Sequence, residues 1–368
     1  MYADDFLLEK LTLREADGAL RSLKLSAAQI DFCSNDYLGL ANQSLLGQLP
    51  ALPQGATGSR LLSGNHPIHE KAEALIAQFH QVPAAVLFNS GYDANLGLLS
   101  AIAQKEDTIL YDVLSHASIR DGIRLSRAQS FAFPHQDLSA LEERLKKTSG
   151  RIFVVTESVF SMDGDMAPLH DMVQLCESHG AHLVVDEAHA LGVIGEKGEG
   201  LVQHLGLADK VFARIVTFGK AAGVHGAAVL GSKRLASFLV NFARSLVYST
   251  ALSPHAVAAI LRAYEVFPLL YEGREKLKND IDVFRSAPLP FEKINSLTPI
   301  QGVKVGGNLA AQQLAARCQA KNLDVRPILY PTVPKGTERI RIILHAFNAP
   351  AELKLLLEVL TGPYPFSK

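Results

Sequence analysis

Short apolar runs alternate with helix-like segments from about residue 70 onward. The spacing of apolar residues predicts helices over "HEKAEALIAQFHQV", "YDANLGLLSAIAQ" and "LHDMVQLCESHG", and buried strands over "AAVLFNSG", "RIFVVTES", "AHLVVDEAHA", "FARIVTFGK" and "GAAVLGS". Buried runs separated by helices predict a mostly parallel sheet covered on both faces, which is an α/β fold. Ligands of such sheets bind beyond the carboxyl ends of the strands. We therefore expect Asp186, Thr217 and Lys220, which close or follow these runs, to share one edge of the sheet.

The end of the chain predicts a second, smaller domain. The stretch "SPHAVAAILRAYEVFPLLYEGREKLKNDIDVFRSA" predicts a long helix, broken near Pro268, that leads out of the first domain. Beyond it, strand-like and helix-like segments alternate again, which predicts a small α/β domain with its own sheet. We divide the chain into an N-terminal segment (1–44), a large domain (45–270) and a C-terminal small domain (271–368).

Composition argues against several classes of partner. The formal net charge is -1, so there is no global field to attract nucleic acid or an anionic membrane, and we expect neither as a partner. The N-terminal "MYADDFLLEKLTLREADGAL" is acidic and amphipathic, unlike a signal peptide. Cys33, Cys176 and Cys318 form no CxxC or metal spacing, which is typical of a reducing compartment. We expect a cytoplasmic protein.

An aspartate leaves a buried strand in "LVVDEAHALG", where Asp186 ends the apolar run and His189 follows three residues later. A buried carboxylate is costly unless a positive partner meets it, and the protonated nitrogen of a pyridine ring is one such partner. This pattern suggests pyridoxal phosphate, which also needs a lysine for a Schiff base and donors for its phosphate. Lys220 in "VTFGKAAG" is the candidate for the Schiff base, and Thr217 lies one turn before it, near the phosphate.

Other segments supply the remaining contacts that this cofactor needs. "NSGYDAN" opens a helix and offers the backbone N–H groups of Ser90, Gly91 and Tyr92 to the phosphate. His116 in "LSHAS" is a candidate to stack on the ring, and His189 to bond its phenolic oxygen.

Each of these residues also has an ordinary interpretation. A lone lysine after a strand is usually solvated, an aspartate at a strand end is usually a helix cap, and a histidine in a turn is usually structural. "DEAH" occurs in helicases too, but no G-x-x-x-x-G-K-[ST] loop is present to hold nucleotide phosphates. His66 and His69 flank Pro67 without a nearby carboxylate cluster, so we predict a turn and a helix cap there, and no metal site.

Nine segments, in order from about residue 31 to 345, carry a resemblance to a known family. The chain resembles the α-oxoamine synthases of pyridoxal phosphate fold type I, which share their fold with class I/II aminotransferases. The segments are "DFCSNDYLGLA", "GATGSRLLSGNHPIHEKAE", "LFNSGYDAN", "YDVLSHASIRDGIRLS", "VTESVFSMDGDMAPL", "VVDEAHALGVIGEKGEG", "VTFGKAAGVHGAAVLGS", "FARSLVYSTALSP" and "PTVPKGTERIRIIL".

The resemblance implies a role for each catalytic candidate. It implies that Lys220 forms the Schiff base, that Asp186 pairs with the pyridine nitrogen, that His189 contacts the phenolic oxygen and that His116 stacks on the ring. Ser161 in "VFSMDGD" matches a cofactor-site serine of the family, and Thr217 matches a phosphate ligand.

The resemblance also implies a homodimer that binds an amino acid. Ser249 and Thr250 of "YST" match a segment that reaches the phosphate from the neighbouring subunit. Asn35 matches an asparagine near the substrate, and Arg341 matches the arginine that holds the amino acid carboxylate. A planar guanidinium suits that task because it grips a carboxylate bidentately.

The implied reaction is a decarboxylative condensation of an amino acid with an acyl thioester. "TFGKAAGVHGAAVLGS" and "PTVPKGTERIRI" resemble the branch that serves biotin biosynthesis, with L-alanine and pimeloyl-CoA or a pimeloyl-carrier protein as substrates. Three alternatives stay open: a sister synthase that uses glycine or another acyl-CoA, like glycine C-acetyltransferase; a fold type I aminotransferase; and a cofactor-binding protein without synthase activity. The connection "ANQSLLGQLPALPQGATGSR" is shorter than usual in the family, so we expect the segment enclosing the acyl chain to differ. Basic residues Arg120, Arg124 and Arg127 suit either a phosphate-bearing carrier or a solvated helix face.

Overall fold

The structure is a computed structural model that describes residues 4–18, 20, 22–23, 29–41 and 50–362. Residues 42–49 of the shortened connection lie outside the described residues. Within the described residues, no helix is both long and apolar enough to cross a membrane.

Helices and strands alternate along most of the described chain. The helices are α1 (Leu8–Ala16), α2 (Pro67–Phe79), α3 (Gly91–Ile102), α4 (Ala117–Ser126), α5 (Leu138–Lys147), α6 (Leu169–Ser178), α7 (Leu201–His204), α8 (Lys233–Phe242), α9 (Arg244–Val247), α10 (Pro254–Val266), α11 (Tyr271–Ser286), α12 (Asn308–Gln319) and α13 (Pro350–Thr361). The strands are β1 (Ile30–Asp31), β2 (Ala84–Phe88), β3 (Thr108–Asp112), β4 (Gln129–Phe133), β5 (Ile152–Glu157), β6 (His182–Asp186), β7 (Ala213–Thr217), β8 (Ala227–Gly231), β9 (Glu292–Lys293), β10 (Ile300–Lys304), β11 (Leu323–Asp324), β12 (Arg326–Ile328) and β13 (Arg339–Ile343).

The chain divides into two compact units. The larger comprises Asn35–Ser161 and Asp165–Glu275, and the smaller comprises Met1–Ser34, Met162–Gly164 and Lys276–Lys368. The division thus falls after Ser34 and Glu275, whereas the sequence placed it after residues 44 and 270. The physical reason at the first boundary is backbone pairing, because β1 lies parallel to β11 and the Phe32 carbonyl accepts the Ile343 N–H at 2.9 Å.

The larger unit is built on a mostly parallel sheet. Within the described residues this sheet has seven strands in the order β2-β8-β7-β6-β5-β3-β4. Strands β4, β3, β5, β6 and β7 run parallel, while β8 is antiparallel to both β7 and β2. The predicted α/β class is confirmed. Helix α3 packs Leu98, Leu99 and Ile102 into the same apolar core as Val184 of β6 and Ile215 of β7, so the start of α3 is fixed against this sheet.

The smaller unit has a sheet of its own, as predicted. Within the described residues its strands run in the order β12-β13-β10-β9, all antiparallel. Arg341 of β13 lies opposite Gly302 of β10 and Arg326 of β12. Because side chains alternate along a strand, Arg339 and Arg341 share one face, and Arg339 forms an ion pair with Asp163.

The predicted break in the long helical stretch is present. Helix α10 ends at Val266, a 3₁₀ turn spans Phe267–Leu269, and α11 begins at Tyr271. Pro268 lies in the turn because proline has no N–H to continue an α-helix.

Candidate active site

The carboxyl ends of β6 and β7 bring three of the predicted residues to one edge, as the sequence predicts. Asp186 is the last residue of β6, and Thr217 is the last residue of β7, which runs parallel to it. The Lys220 Nζ lies 3.3 Å from the Thr217 Oγ1, to which it donates a hydrogen bond. The lysine is thus held beside the residues that end the two central strands.

Asp186 is a buried carboxylate held by neutral donors. Its side chain is 5% exposed, its Oδ2 accepts from the Asn95 Nδ2 at 2.7 Å, and its Oδ1 accepts from the Ala188 N–H at 2.9 Å. Among the described residues Asp186 forms no ion pair within 4.0 Å. A buried negative charge of this kind calls for a cation, and the protonated nitrogen of a pyridine ring fits that requirement.

The start of α3 suits a phosphate group. The Ser90 side chain caps the helix by accepting the Asp93 N–H at 3.1 Å, which leaves the first-turn N–H groups of Gly91 and Tyr92 available to an anion. A Cβ on Gly91 would lie 2.4 Å from the Thr217 Cγ2, so only glycine lets the helix start lie against Thr217. These donors lie beside the threonine that the sequence assigns to the phosphate.

His116 begins the next helix and is linked to the same network. Its Nδ1 accepts the Ser118 N–H at 3.2 Å, which caps α4, and lies 2.8 Å from the Ser118 Oγ. The Ser118 hydroxyl also accepts from the Asn95 amide at 3.1 Å. Desolvation lowers the pKa of His116, which favours the uncharged ring. A flat, uncharged ring is suited to stacking.

His189 is oriented by a tyrosine that sequence reasoning missed. Its Nδ1 lies 2.7 Å from the hydroxyl of Tyr37, which is fully buried, and the same hydroxyl donates to the Asn35 Oδ1 at 3.4 Å. Asn35 is thereby brought to the His189 side of the site. Tyr37 lies inside "DFCSNDYLGLA", but its contact with His189 spans 152 positions in sequence, which no local pattern reveals.

Glu157 is a second residue that sequence reasoning missed. It ends β5, is 3% exposed, and its Oε1 accepts the His116 N–H at 2.7 Å. Asn95 belongs with it, since both are buried polar side chains within resemblance segments that were assigned no role. For Glu157 the available signal was a polar residue at the end of an apolar strand, the same signal that identified Asp186, whereas Asn95 lies within α3 and carries no such signal.

The remaining predicted residues lie in three other places. Ser161 lies within the loop that the hydrogen bond from the Phe160 N–H to the Asp165 carbonyl closes, at 3.0 Å. Arg341 lies on β13 of the smaller unit. Ser249 and Thr250 help to line a cavity that Lys220, Asp186 and His189 do not line; its other residues are Arg60, His69, Leu87, Asn89, Ser245, Leu246, Ala251 and Leu252.

The histidine pair near Pro67 has the structural role that the sequence predicts. His66 is the N-cap of α2, and its Nδ1 accepts the Ile68 N–H at 3.2 Å. His69 completes the capping box through its Nδ1, and its Nε2 lies 2.9 Å from the Leu252 carbonyl oxygen.

Comparisons with known proteins identify the family of this chain. The family profile described as aminotransferase class I and II matches residues 27–360. The chain is 40% identical to a putative 8-amino-7-oxononanoate synthase of Bacillus licheniformis, covering 97% of each protein. It is 40% identical to the 8-amino-7-oxononanoate synthase of Emericella nidulans, covering 97% of this chain and 94% of that protein. It is 42% identical to the same enzyme of Marinobacter nauticus, covering 90% and 86%.

Solved structures give the same fold. A serine palmitoyltransferase of S. paucimobilis with a bound PLP–myriocin aldimine superposes with a TM-score of 0.86 at 25% identity, covering 97% of this chain and 96% of that one. The 8-amino-7-oxononanoate synthase of Francisella tularensis superposes with a TM-score of 0.76 at 29% identity, covering 91% and 97%. Both confirm fold type I. The chain therefore belongs to the aminotransferase class I and II family, and within it to the α-oxoamine synthases.

Proposed function

We propose that this protein condenses L-alanine with pimeloyl-CoA, or with a pimeloyl-carrier protein, to form 8-amino-7-oxononanoate in biotin biosynthesis. The new carbon–carbon bond joins the α-carbon of alanine to the acyl carbon, the thiol leaves, and the alanine carboxyl group departs as carbon dioxide. The observation that carries this proposal is the 40–42% identity, over at least 90% of the chain, to bacterial and fungal proteins named as 8-amino-7-oxononanoate synthases.

A sister α-oxoamine synthase is the second candidate. The serine palmitoyltransferase superposes with the higher TM-score, 0.86 against 0.76, which favours a sister branch on backbone shape. Its identity to this chain is only 25%. Substrate choice depends on particular side chains more than on backbone shape, so the higher sequence identity decides in favour of the first proposal.

The cofactor is pyridoxal 5'-phosphate. When bound, it supplies an electron sink that stabilises negative charge on the α-carbon of the amino acid. In our proposal Lys220 binds it covalently and, once released, takes the proton from the α-carbon of alanine. Asp186 keeps a proton on the pyridine nitrogen, and Asn95 keeps Asp186 in place through the 2.7 Å hydrogen bond.

Other side chains position the cofactor and the amino acid. We assign the phosphate to Thr217 and to the α3 start at Ser90, Gly91 and Tyr92, and we assign ring contacts to His116, His189 and Ser161. Support comes from the network that links Asn95 to both Asp186 and Ser118, and Ser118 to His116. We further assign the alanine carboxylate to Arg341 and a substrate contact to Asn35.

A homodimer with shared sites is part of the proposal, with Ser249 and Thr250 reaching the phosphate of the partner subunit. Exposed apolar side chains support an interface: Phe6, Leu8 and Leu13 of the N-terminal helical segment are 76%, 62% and 60% exposed, and Tyr248 is 73% exposed. Large apolar side chains left exposed in each unit suit surfaces that a second subunit covers. We place the enzyme in the cytoplasm, consistent with its three free cysteines.

A turnover assay tests the proposal. The purified protein, loaded with pyridoxal phosphate, is given L-alanine and pimeloyl-CoA while free thiol and carbon dioxide are followed together, with glycine and shorter acyl-CoAs in parallel. We expect both products with alanine and pimeloyl-CoA. Activity only with glycine or another acyl group would move the protein to a sister branch. Transfer of the amino group without thiol release would favour an aminotransferase.

A further inference from the structure

A buried carboxyl group lies at the centre of the catalytic edge and has no role in the reaction described above. Glu157 ends β5, which lies between β3 and β6 in the sheet. In the parallel register Glu157 is the partner of Asp186. Its side chain is 3% exposed, so it has almost no water to solvate a charge.

One contact of Glu157 reaches directly into the site. Its Oε1 accepts the main-chain N–H of His116 at 2.7 Å. That N–H belongs to the residue that caps α4 and carries the ring assigned to stack on the cofactor. The bond therefore fixes the backbone from which the His116 ring projects, and it needs only an acceptor oxygen, not a charge.

The groups around Glu157 act on its ionisation in opposite directions. Asp186 on the neighbouring strand β6 and Asp112 at the end of β3 disfavour a negative charge on Glu157, whereas the Lys220 ammonium and the hydrogen bond from the His116 N–H favour one. The His135 Nδ1 lies 3.0 Å from the Asp112 Oδ1. His135 is therefore paired with Asp112 and not with Glu157. Burial and the charge of Asp186 raise the pKa of Glu157 well above its ordinary value.

We propose that Glu157 is a positioning residue that works as an uncharged carboxylic acid, holding the His116 backbone by one N–H···O bond and leaving the negative charge of this edge to Asp186. This inference rests on the proposed function only for its effect on turnover. A neutral Glu157 matters because a second carboxylate charge beside Asp186 would compete for the cation that Asp186 is placed to meet.

Two substitutions separate the acceptor from the charge. Glu157→Gln keeps an acceptor oxygen and cannot ionise, whereas Glu157→Ala removes the acceptor. We expect Glu157→Ala to lose about tenfold or more in kcat, and Glu157→Gln to restore most of that loss, within about threefold of the parent protein. Equal losses in both variants, or no loss in either, would overturn the positioning role.

Two spectroscopic measurements test the protonation state without any substrate. Infrared difference spectra of the cofactor-free protein at pH 7 should contain a carboxylic acid C=O band that Glu157→Gln lacks. In the cofactor-loaded protein, the pH titration of the cofactor absorption band should have the same midpoint in the parent and in Glu157→Gln. Absence of the acid band, or a midpoint lowered by loss of a negative charge, would contradict a neutral Glu157.

These readouts also distinguish failure of this inference from failure of the proposed function. If no thioester substrate supports turnover, the infrared band and the cofactor titration still decide the state of Glu157. If turnover is found but both spectroscopic results go against a neutral acid, the inference is wrong and the proposed reaction stands.

Discussion

At the scale of single residues, Asn95 holds the buried Asp186 carboxylate in place by a hydrogen bond. Its amide donates to the Asp186 Oδ2 and to the Ser118 Oγ, and it is 1% exposed. We expect Asn95→Ala to lower kcat by about tenfold to a hundredfold, since a lost hydrogen bond to a charged group costs roughly 1.5–3 kcal/mol. The measurement is kcat together with the dissociation constant of pyridoxal phosphate. Asn241→Ala is the control, because Asn241 is exposed near the end of α8 and its amide donates to the Ser237 carbonyl of the same helix.

Lys220 gives the second prediction at this scale. We expect Lys220→Ala to abolish both turnover and the borohydride-reducible link to the cofactor, while the melting temperature of the cofactor-free protein changes little. Lys210→Ala is the matched control, since Lys210 is exposed and forms a surface ion pair with Glu177. A Lys220→Ala protein that retained full turnover would rule out the assigned site.

Single residues also show how far sequence reasoning reaches. Asp186, Thr217 and Lys220 could be placed together because each ends or follows a buried run, and strand ends in a parallel sheet meet at one edge. Asn95 and Tyr37 could not, because each makes an ordinary hydrogen bond across the fold. Their partners lie 91 and 152 positions away in sequence.

At the scale of elements, the contact between α3 and β7 depends on a glycine. A Cβ on Gly91 would lie 2.4 Å from the Thr217 Cγ2, so in Gly91→Ala the helix start or the Thr217 side chain must shift. We expect weaker binding of pyridoxal phosphate, by about tenfold, because the first-turn N–H groups then lose their alignment with Thr217. Spectrophotometric titration with the cofactor measures this. Gly55→Ala, where a Cβ would have nothing within 4 Å, should bind as the parent does.

A second element-scale prediction concerns the loop after β5. His135 bridges it to β3, with its Nε2 2.6 Å from Asp165 and its Nδ1 3.0 Å from Asp112. Burial alone would lower its pKa, but hydrogen bonds and charge from the two carboxylates raise the pKa of His135 to about 9. A raised pKa in the folded state means stabilisation below pH 6.5, the ordinary value, that declines as pH rises through about 9.

We therefore expect His135→Gln to lower the melting temperature most below pH 6.5 and progressively less towards pH 9.5. Melting curves of the parent and the variant across that pH range measure the difference. Substitution of His170, an exposed residue of α6, controls for loss of a histidine. A difference that stayed constant, or grew, with rising pH would show that His135 is not held as an imidazolium.

Many of the helices and strands could be predicted from the sequence, but some strands and one strand direction could not. Buried runs and helical spacing located β2, β5, β6, β7 and β8 and the helices α2, α3 and α6, whereas β3, α4, α5 and α7 were not predicted. The edge strand β4 escaped because its first three residues are exposed, so it lacks the continuous apolar run of a central strand. The antiparallel direction of β8 was not predicted either. Strand direction depends on the connection between β7 and β8, and the spacing of apolar residues does not determine that connection.

At the scale of the whole molecule, the shared site is testable by mixing inactive variants. Lys220→Ala and the double variant Ser249→Ala/Thr250→Ala should each be nearly inactive. Random reassociation of equal amounts makes half of the dimers mixed, and each mixed dimer has one intact site if the two groups come from different subunits. We expect recovery of about one quarter of the parent activity. No recovery, despite mixed dimers in native mass spectra, would place Ser249 and Thr250 in the same site as Lys220 of their own chain.

The division of the chain was less predictable than its elements. Contacts over roughly 300 positions assign the segment up to Ser34 to the smaller unit: β1 pairs with β11, and the Phe32 and Asp31 carbonyls accept from Ile343 and Asn348. The two-residue β1 has no periodicity of its own, so sequence reasoning placed the boundary later. The family resemblance, by contrast, was readable because its segments are spread along most of the chain.

The central claim, carbon–carbon bond formation with loss of the alanine carboxyl group, is tested most directly with isotopically labelled alanine. The loaded protein is given pimeloyl-CoA and L-alanine carrying carbon-13 either at the carboxyl carbon or at the methyl carbon, and the products are analysed by mass spectrometry. Our account predicts labelled carbon dioxide with an unlabelled amino-keto acid in the first case, and a labelled amino-keto acid in the second. Labelled pyruvate in both cases, with no labelled carbon dioxide, would contradict it and identify an aminotransferase.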